Sequence, residues 1–237
     1  MSPNPALRGR RSGAASKGRW RILIVDDHPL VREGLAARIS AQPDLEVCGE
    51  ASTIEEALAL IRTADPDLVI ADLALKEGNG LDLIKQTSTS RPGLKILVVS
   101  AYGESLFAER ALRSGARGYI NKQELPGAVI EAIRAVLRDE LYLSAEMARR
   151  LAGQALGESP SPQDVRTLSN RELQVFELIG RGHSTREIAQ QLQRSVHTIE
   201  SHREKIRAKL NLRSGSELTQ QAVRWILETE GSVAGLE

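Results

Sequence analysis

A single cysteine in 237 residues, Cys48, leaves no partner for an intramolecular disulfide and no material for a cysteine-built zinc cluster. It stands beside Val47 in a strand-like run, where a buried and inert thiol is expected. Long apolar stretches are missing too. No run approaches the ~18 residues that a membrane-crossing helix needs, and nothing near the N-terminus has the pattern of a secretory leader. These absences point to a cytoplasmic setting without a membrane partner. Net charge is almost absent, at +1 from 32 basic and 31 acidic residues. With 41% hydrophobic and 27% charged residues, the chain has the composition of a soluble globular protein, and its length suits one or two compact domains.

The near-neutral total hides two basic concentrations. Residues 1–18 hold Arg8, Arg10, Arg11 and Lys17 with no acid, in a Ser/Gly/Pro-rich stretch without apolar periodicity. A disordered basic tail over 1–19 is expected there. Within 203–213, Arg203, Lys205, Arg207, Lys209 and Arg213 face one acid, Glu204, on a predicted helix. A basic helix is the more informative of the two, because it is the footprint of a nucleic-acid contact.

Between the two clusters the chain changes character once. Short aliphatic runs at 22–25, 45–49, 68–71, 95–99 and 118–120 alternate with amphipathic stretches at 30–41, 53–63, 80–89, 104–114 and 125–138. Continuous β-branched runs between helices predict an α/β fold, a doubly wound parallel five-stranded sheet with helices on both faces, over 20–138. Residues 139–166 predict a linker with a short helix, turning small, polar and proline-bearing toward its end. A small all-α domain over 167–230 follows, with helices near 170–180, 184–192, 195–210 and 215–229, and 231–237 forms a tail.

Chemistry concentrates at the C-terminal ends of the predicted strands, where open α/β sheets bind ligands. Asp26 and Asp27 end the first strand and Asp72 ends the third. If the sheet begins in the order 2-1-3, these carboxylates share one crevice. They then repel by a few kcal/mol per pair at an effective dielectric near 20, unless a proton or a hard cation such as Mg²⁺ is held there. Ser100 ends the fourth strand and offers a hydroxyl; Lys122 follows the fifth and offers a compact cation. Singly, each is an ordinary cap or surface residue. Together they supply a carboxylate nucleophile, a metal site, a donor and an ammonium, the parts phosphoryl transfer needs.

The motifs Ile24-Val25-Asp26-Asp27-His28-Pro29, Asp67-Leu68-Val69-Ile70-Ala71-Asp72, Ser100-Ala101 and Gly118-Tyr119-Ile120-Asn121-Lys122 occur in order, and here the sequence resembles the flavodoxin-like receiver domain of response regulators. The resemblance implies that Asp72 accepts a phosphoryl group from a sensor histidine kinase. It further implies that Asp26, Asp27, Asp72 and the Ala74 backbone carbonyl bind Mg²⁺, and that Ser100 and Tyr119 form a switch pair. Ser100 would move to the phosphate and Tyr119 would turn inward. Gly80 matches the usual glycine after the phosphoacceptor loop, whereas Lys76 replaces a common proline in it. His28 is expected to serve at the start of a helix. A doubly wound phosphatase is the enzymatic alternative, but its usual second acid, two residues past the nucleophile, is here Ala74. Slow self-hydrolysis of the aspartyl phosphate is all the turnover expected.

In the all-α part, Ser184-Thr185-Arg186-Glu187 has a capping-box pattern, and Ile188, Ala189 and Leu192 make an apolar face. Ser195 caps the next helix, whose inner face is expected to hold Val196, Ile199, Ile206 and Leu210, with His202 packed between them. His197, Glu200, Ser201, Glu204 and Lys205 lie opposite, flanked by Arg203, Arg207 and Lys209. The run Leu168-Ser169-Asn170-Arg171-Glu172, with Glu187-Ile188-Ala189, Thr198-Ile199-Glu200-Ser201-His202-Arg203 and Lys209-Leu210, resembles the LuxR-type helix-turn-helix of NarL/FixJ regulators. That resemblance implies double-stranded DNA as a partner, helix 195–210 as the reader, and a homodimer on phosphorylation or on DNA, with the last helix as the DNA-bound contact. The bases would meet phosphates. Glu200 and Glu204 have two readings: acceptors for cytosine N4, or partners of Arg203 and Arg207 along the helix.

Overall fold

The computed structural model describes residues 18–75, 79–155 and 165–231. Lys76, most of both expected tails and part of the linker lie outside them. Five parallel strands, β1 (Trp20–Val25), β2 (Leu45–Ala51), β3 (Leu68–Ala71), β4 (Lys95–Ser100) and β5 (Gly118–Asn121), form one sheet in the order β2-β1-β3-β4-β5. The connecting helices are α1 (Pro29–Ser40), α2 (Ile54–Thr63), α3 (Gly80–Ser90), α4 (Glu104–Ser114) and α5 (Leu125–Leu137). The doubly wound sheet expected from the aliphatic runs is therefore the fold of the first domain.

The period-two alternation of β1 sorts the layers. Ile22 and Ile24 pack with Leu35 and Ile39 of α1 and with Val129, Ala132, Ile133 and Val136 of α5. Leu23 and Val25 face the opposite way, toward Ala57 and Ile61 of α2, Leu81 and Ile84 of α3, and Phe107, Ala108 and Ala111 of α4. Polar caps set where the helices begin. Thr53 accepts from Glu56 N and Asn79 from Leu81 N, each of the order of 1 kcal/mol. At the far end of α4, Gly115 adopts φ 115°, the left-handed turn that closes a helix.

The linker helix is α6 (Ala145–Ala155), with Met147 buried in the same core as α4. The C-terminal helices are α7 (Asn170–Gly180), α8 (Thr185–Gln191), α9 (Val196–Lys209) and α10 (Gly215–Gly231). Ser169 and Ser184 each close a full capping box, with Glu172 and Glu187 respectively, and Ser195 accepts from Thr198 N. Between α8 and α9, Gln193 takes φ 50°, giving the tight turn a helix-turn-helix requires. Gly180 lies where α10 crosses α7; a Cβ there would stand 2.6 Å from the Ala222 carbonyl oxygen.

Candidate functional site

The strand order sets β3 beside β1, so Asp26, Asp27 and Asp72 leave adjacent strand ends into one crevice, all three buried. Lys122, in the 3₁₀ turn after β5, reaches across with Nζ 2.7 Å from Asp72 Oδ2 and 2.7 Å from Asp26 Oδ2. The other oxygen of Asp72 accepts from Ala74 N at 3.1 Å. Burial pushes the Asp72 carboxyl above the ordinary aspartate range; Lys122 opposes that shift and Asp26 adds to it. Burial alone would lower the Lys122 pKa, but the carboxylates of Asp72 and Asp26 outweigh it and raise it above the ordinary lysine value.

Asp26 Oδ2 and Asp27 Oδ1 are buried without an aligned hydrogen-bond donor, although Lys122 Nζ and His28 Nδ1 respectively approach to 2.7 Å. Orphaned carboxylate oxygens converging on one point fit a hard divalent cation such as Mg²⁺. Asp26, Asp27 and Asp72 would hold it, and Ala74 borders the same cavity.

Ser100 and Tyr119 are placed differently from the other site residues. Ser100 is fully buried and its Oγ accepts from Tyr102 N at 3.3 Å, so the cavity wall is made instead by Ala101 and Tyr102. Tyr119 is already inward, buried, with its hydroxyl donating to Tyr102 O at 2.8 Å. Gly80 reveals why a glycine follows the loop: a Cβ would lie 2.1 Å from the Asp72 carbonyl oxygen and 2.6 Å from Leu73 Cα.

The cavity over Asp72, of about 180 Å³, is closed by residues that sequence reasoning missed. Arg171 of α7 and Gln191, Leu192 and Gln193 at the α8–α9 turn form its far wall. Further contacts hold α7 there. Gly103 N donates to Glu177 Oε1 at 3.0 Å, and Arg110 of α4 donates to Asn170 Oδ1 at 2.9 Å and to Leu168 O at 2.6 Å. Glu177, which takes part in these contacts, is 1% exposed, and so is Gln174, which accepts from Arg171 within α7. Nothing local in the sequence marks these residues, since their partners lie 58 to 74 positions away.

On α9, His197, Glu200, Glu204, Lys205 and Ala208 are exposed, while Ser201, Arg203 and Arg207 are half-buried. Ile199, Ile206 and Leu210 are buried, and His202 is half-buried with Nδ1 inside and unpaired. Burial and the nearby Lys205 hold that imidazole below the ordinary histidine range, in keeping with a packing role. Two residues depart from expectation. Val196, expected on the inner face, is 46% exposed because it opens the helix beyond the packed turn. Lys209, expected on phosphates, has its Nζ 2.6 Å from Oε2 of the buried Glu172, tying α9 to the cap of α7. Glu200 lies 3.9 Å from Arg203, the outer limit of an ion pair.

Comparison with known proteins gives two family matches. Residues 22–134 match the response regulator receiver domain, and residues 166–222 match the bacterial regulatory proteins of the luxR family. The chain is 32% identical over 203 residues to the response regulator UvrY of Escherichia coli, covering 86% of this chain and 93% of that one. It is 35% identical over 210 residues to the oxygen regulatory protein NreC of Staphylococcus carnosus, covering 86% and 97%. Among solved structures, RcsB of Salmonella enterica serovar Typhimurium, bound to a promoter in the presence of the phosphomimetic BeF3−, is similar at a TM-score of 0.59 and 25% identity. The match covers 86% of this chain and 98% of that one.

Proposed function

The chain belongs to the response regulators that join a receiver domain to a LuxR-type helix-turn-helix, and on that premise we propose that phosphorylation of Asp72 controls how its C-terminal domain engages DNA. It is a two-component response regulator with a DNA-binding domain for transcription regulation. The finer mechanism rests on one observation: the buried Asp72 carboxylate and its neighbour Asp26 share a single ammonium, that of Lys122.

A sensor histidine kinase, or a small phosphodonor, presents a phosphoryl group to Asp72; its carboxylate oxygen bonds to phosphorus as the P–N bond to the kinase imidazole, or the P–O bond to the small donor, breaks and that group leaves with the electron pair. Lys122 neutralises charge on the phosphoryl oxygens, and the Ala74 N–H fixes the attacking carboxylate. Asp26, Asp27 and Asp72 would hold Mg²⁺, which would supply electrostatic stabilisation to the transferring group. The product carries ~−1.5 to −2 charge and draws the Ser100 hydroxyl toward it. Because Ser100 Oγ accepts from Tyr102 N, and the Tyr102 carbonyl anchors Tyr119, that movement reaches Gly103, where Glu177 of α7 is held. Loosening that contact frees the DNA-binding domain or favours dimerisation. The aspartyl phosphate then hydrolyses slowly, without steady turnover of other substrates.

DNA contact is assigned to α9, with Lys205 and Arg207 on phosphates and His197, Glu200, Ser201 and Glu204 toward bases. Val196 suits a thymine methyl. On α10, the exposed Val223 and Leu227 offer an apolar strip for the DNA-bound dimer. Among the described residues no helix is long and apolar enough to cross a membrane, and we assign the protein to the cytoplasm on its regulatory chemistry. The decisive experiment treats the full chain with acetyl phosphate and Mg²⁺ and weighs it intact. The parent protein gains one phosphoryl group and Asp72→Asn gains none; equal labelling of both would reject Asp72 as the acceptor.

A further inference from the structure

His28 has no part in the mechanism above. It stands at the N-terminal boundary of α1, from which a side chain commonly caps the helix, yet it makes no cap hydrogen bond. Pro29 follows, restricting His28 to the extended region, and the residue sits at φ −92°, ψ 111° with its N–H donating to Asp26 Oδ1 at 2.9 Å. That backbone geometry turns the imidazole into the acidic crevice. Nδ1 lies 2.7 Å from Asp27 Oδ1 and 3.2 Å from Asp26 Oδ1.

One ligand atom from each of Asp26, Asp27, His28 and Asp72 falls within 4.8 Å of all the others. Ligands bound at about 2.0–2.2 Å to one first-row divalent ion stand roughly 3 Å apart, which is the spacing of Nδ1 from the two carboxylate oxygens. Asp27 Oδ1, the atom the ring faces, is itself buried without an aligned donor. With 59% of its side chain exposed, the ring is free to settle onto an ion without disturbing a packed core.

We infer that His28 is an inner-sphere nitrogen ligand, giving this pocket a mixed nitrogen and oxygen donor set that favours borderline divalent ions such as Co²⁺ or Zn²⁺ over Mg²⁺. The inference rests on the proposed role of the carboxylates as cation ligands. Imidazole binds these borderline ions readily, whereas Mg²⁺ prefers oxygen and keeps its waters. His28 therefore joins the coordination shell of the first group and stands aside for Mg²⁺. Coordination through Nδ1 leaves the ring proton on Nε2.

The test is calorimetric titration of the full chain with MgCl₂ and CoCl₂, for the parent, His28→Ala and Asp27→Asn, with pulsed EPR of the Co²⁺ complex as a structural readout. The parent shows ¹⁴N coupling to Co²⁺. His28→Ala erases that coupling and weakens Co²⁺ binding by roughly tenfold, while Mg²⁺ affinity stays within about twofold. An unchanged Co²⁺ to Mg²⁺ affinity ratio in His28→Ala, or persistent ¹⁴N coupling, overturns the assignment of His28 alone. Full Mg²⁺ affinity in Asp27→Asn overturns the carboxylate site and the inference with it.

Discussion

Gly80 shows how a residue without a side chain constrains the chemistry. Its neighbours at the point of closest approach are backbone atoms of Asp72 and Leu73, which cannot swing aside as a flexible side chain would. Gly80→Ala must therefore push the start of α3 away from the phosphoacceptor strand or displace Asp72 itself. Overpacking of this kind costs about 1–3 kcal/mol, read as a lower urea midpoint at unchanged slope. Labelling by acetyl phosphate should slow in parallel; a variant with parental stability and labelling would remove the steric account of this glycine. At the same scale, the three acids and Lys122 were legible because each ends or follows an aliphatic run. The inward Tyr119, the buried Ser100 hydroxyl and the ring direction of His28 were not. Those depend on side-chain torsions and on Tyr102, which no spacing rule singles out.

Among elements, α7 and α9 divide what patterning can and cannot disclose. The serine caps and the aliphatic positions of α8 and α9 follow from local rules, and the structure places Ser184, Ser195, Ile199 and Ile206 as those rules require. By contrast, Glu177 looks like the solvated side of an amphipathic helix, yet it is buried and accepts from Gly103 N of the receiver. A hydrophobic pattern reports which face prefers to leave water; it does not report a polar face covered by another domain. The pairing of Lys209 is hidden for a related reason, because its partner Glu172 lies on a different helix. That pair has a measurable consequence. Burial raises the Glu172 pKa, but Lys209 and the Ser169 cap outweigh it and hold the carboxyl below its ordinary 4.5. A depressed carboxylate stabilises the fold above its unfolded pKa, and this is lost as pH falls through the lower folded value. Glu172→Gln should accordingly lose stability at pH 7 and show a weaker decline than the parent below about pH 4.5 in thermal melts. Parallel pH profiles for the two would mean that the pair contributes nothing.

At the scale of the whole molecule, the docked C-terminal domain closes the phosphoacceptor cavity through Arg171 and the α8–α9 turn, yet leaves His197, Glu200, Glu204 and Lys205 of the reading helix exposed. The two facts separate access to DNA from control of DNA binding. A lone C-terminal domain meets one half-site in the docked form much as it would when freed. What docking denies is the second, simultaneous contact, because half-sites about 34–36 Å apart demand two domains turned toward one face of the duplex. Linked contacts gain through effective concentration, by ~10²-fold or more when geometry permits both. On a duplex with a single half-site, beryllofluoride should change affinity by less than about twofold, whereas on a paired site the gain should reach that ~10²-fold scale, compared by fluorescence anisotropy at one salt concentration. Equal gains on both duplexes would instead mean that docking masks the reading face. With that face open, the phosphorylation proposed for this protein would set valence rather than grip: the operator would distinguish the two states by how many hands reach it at once.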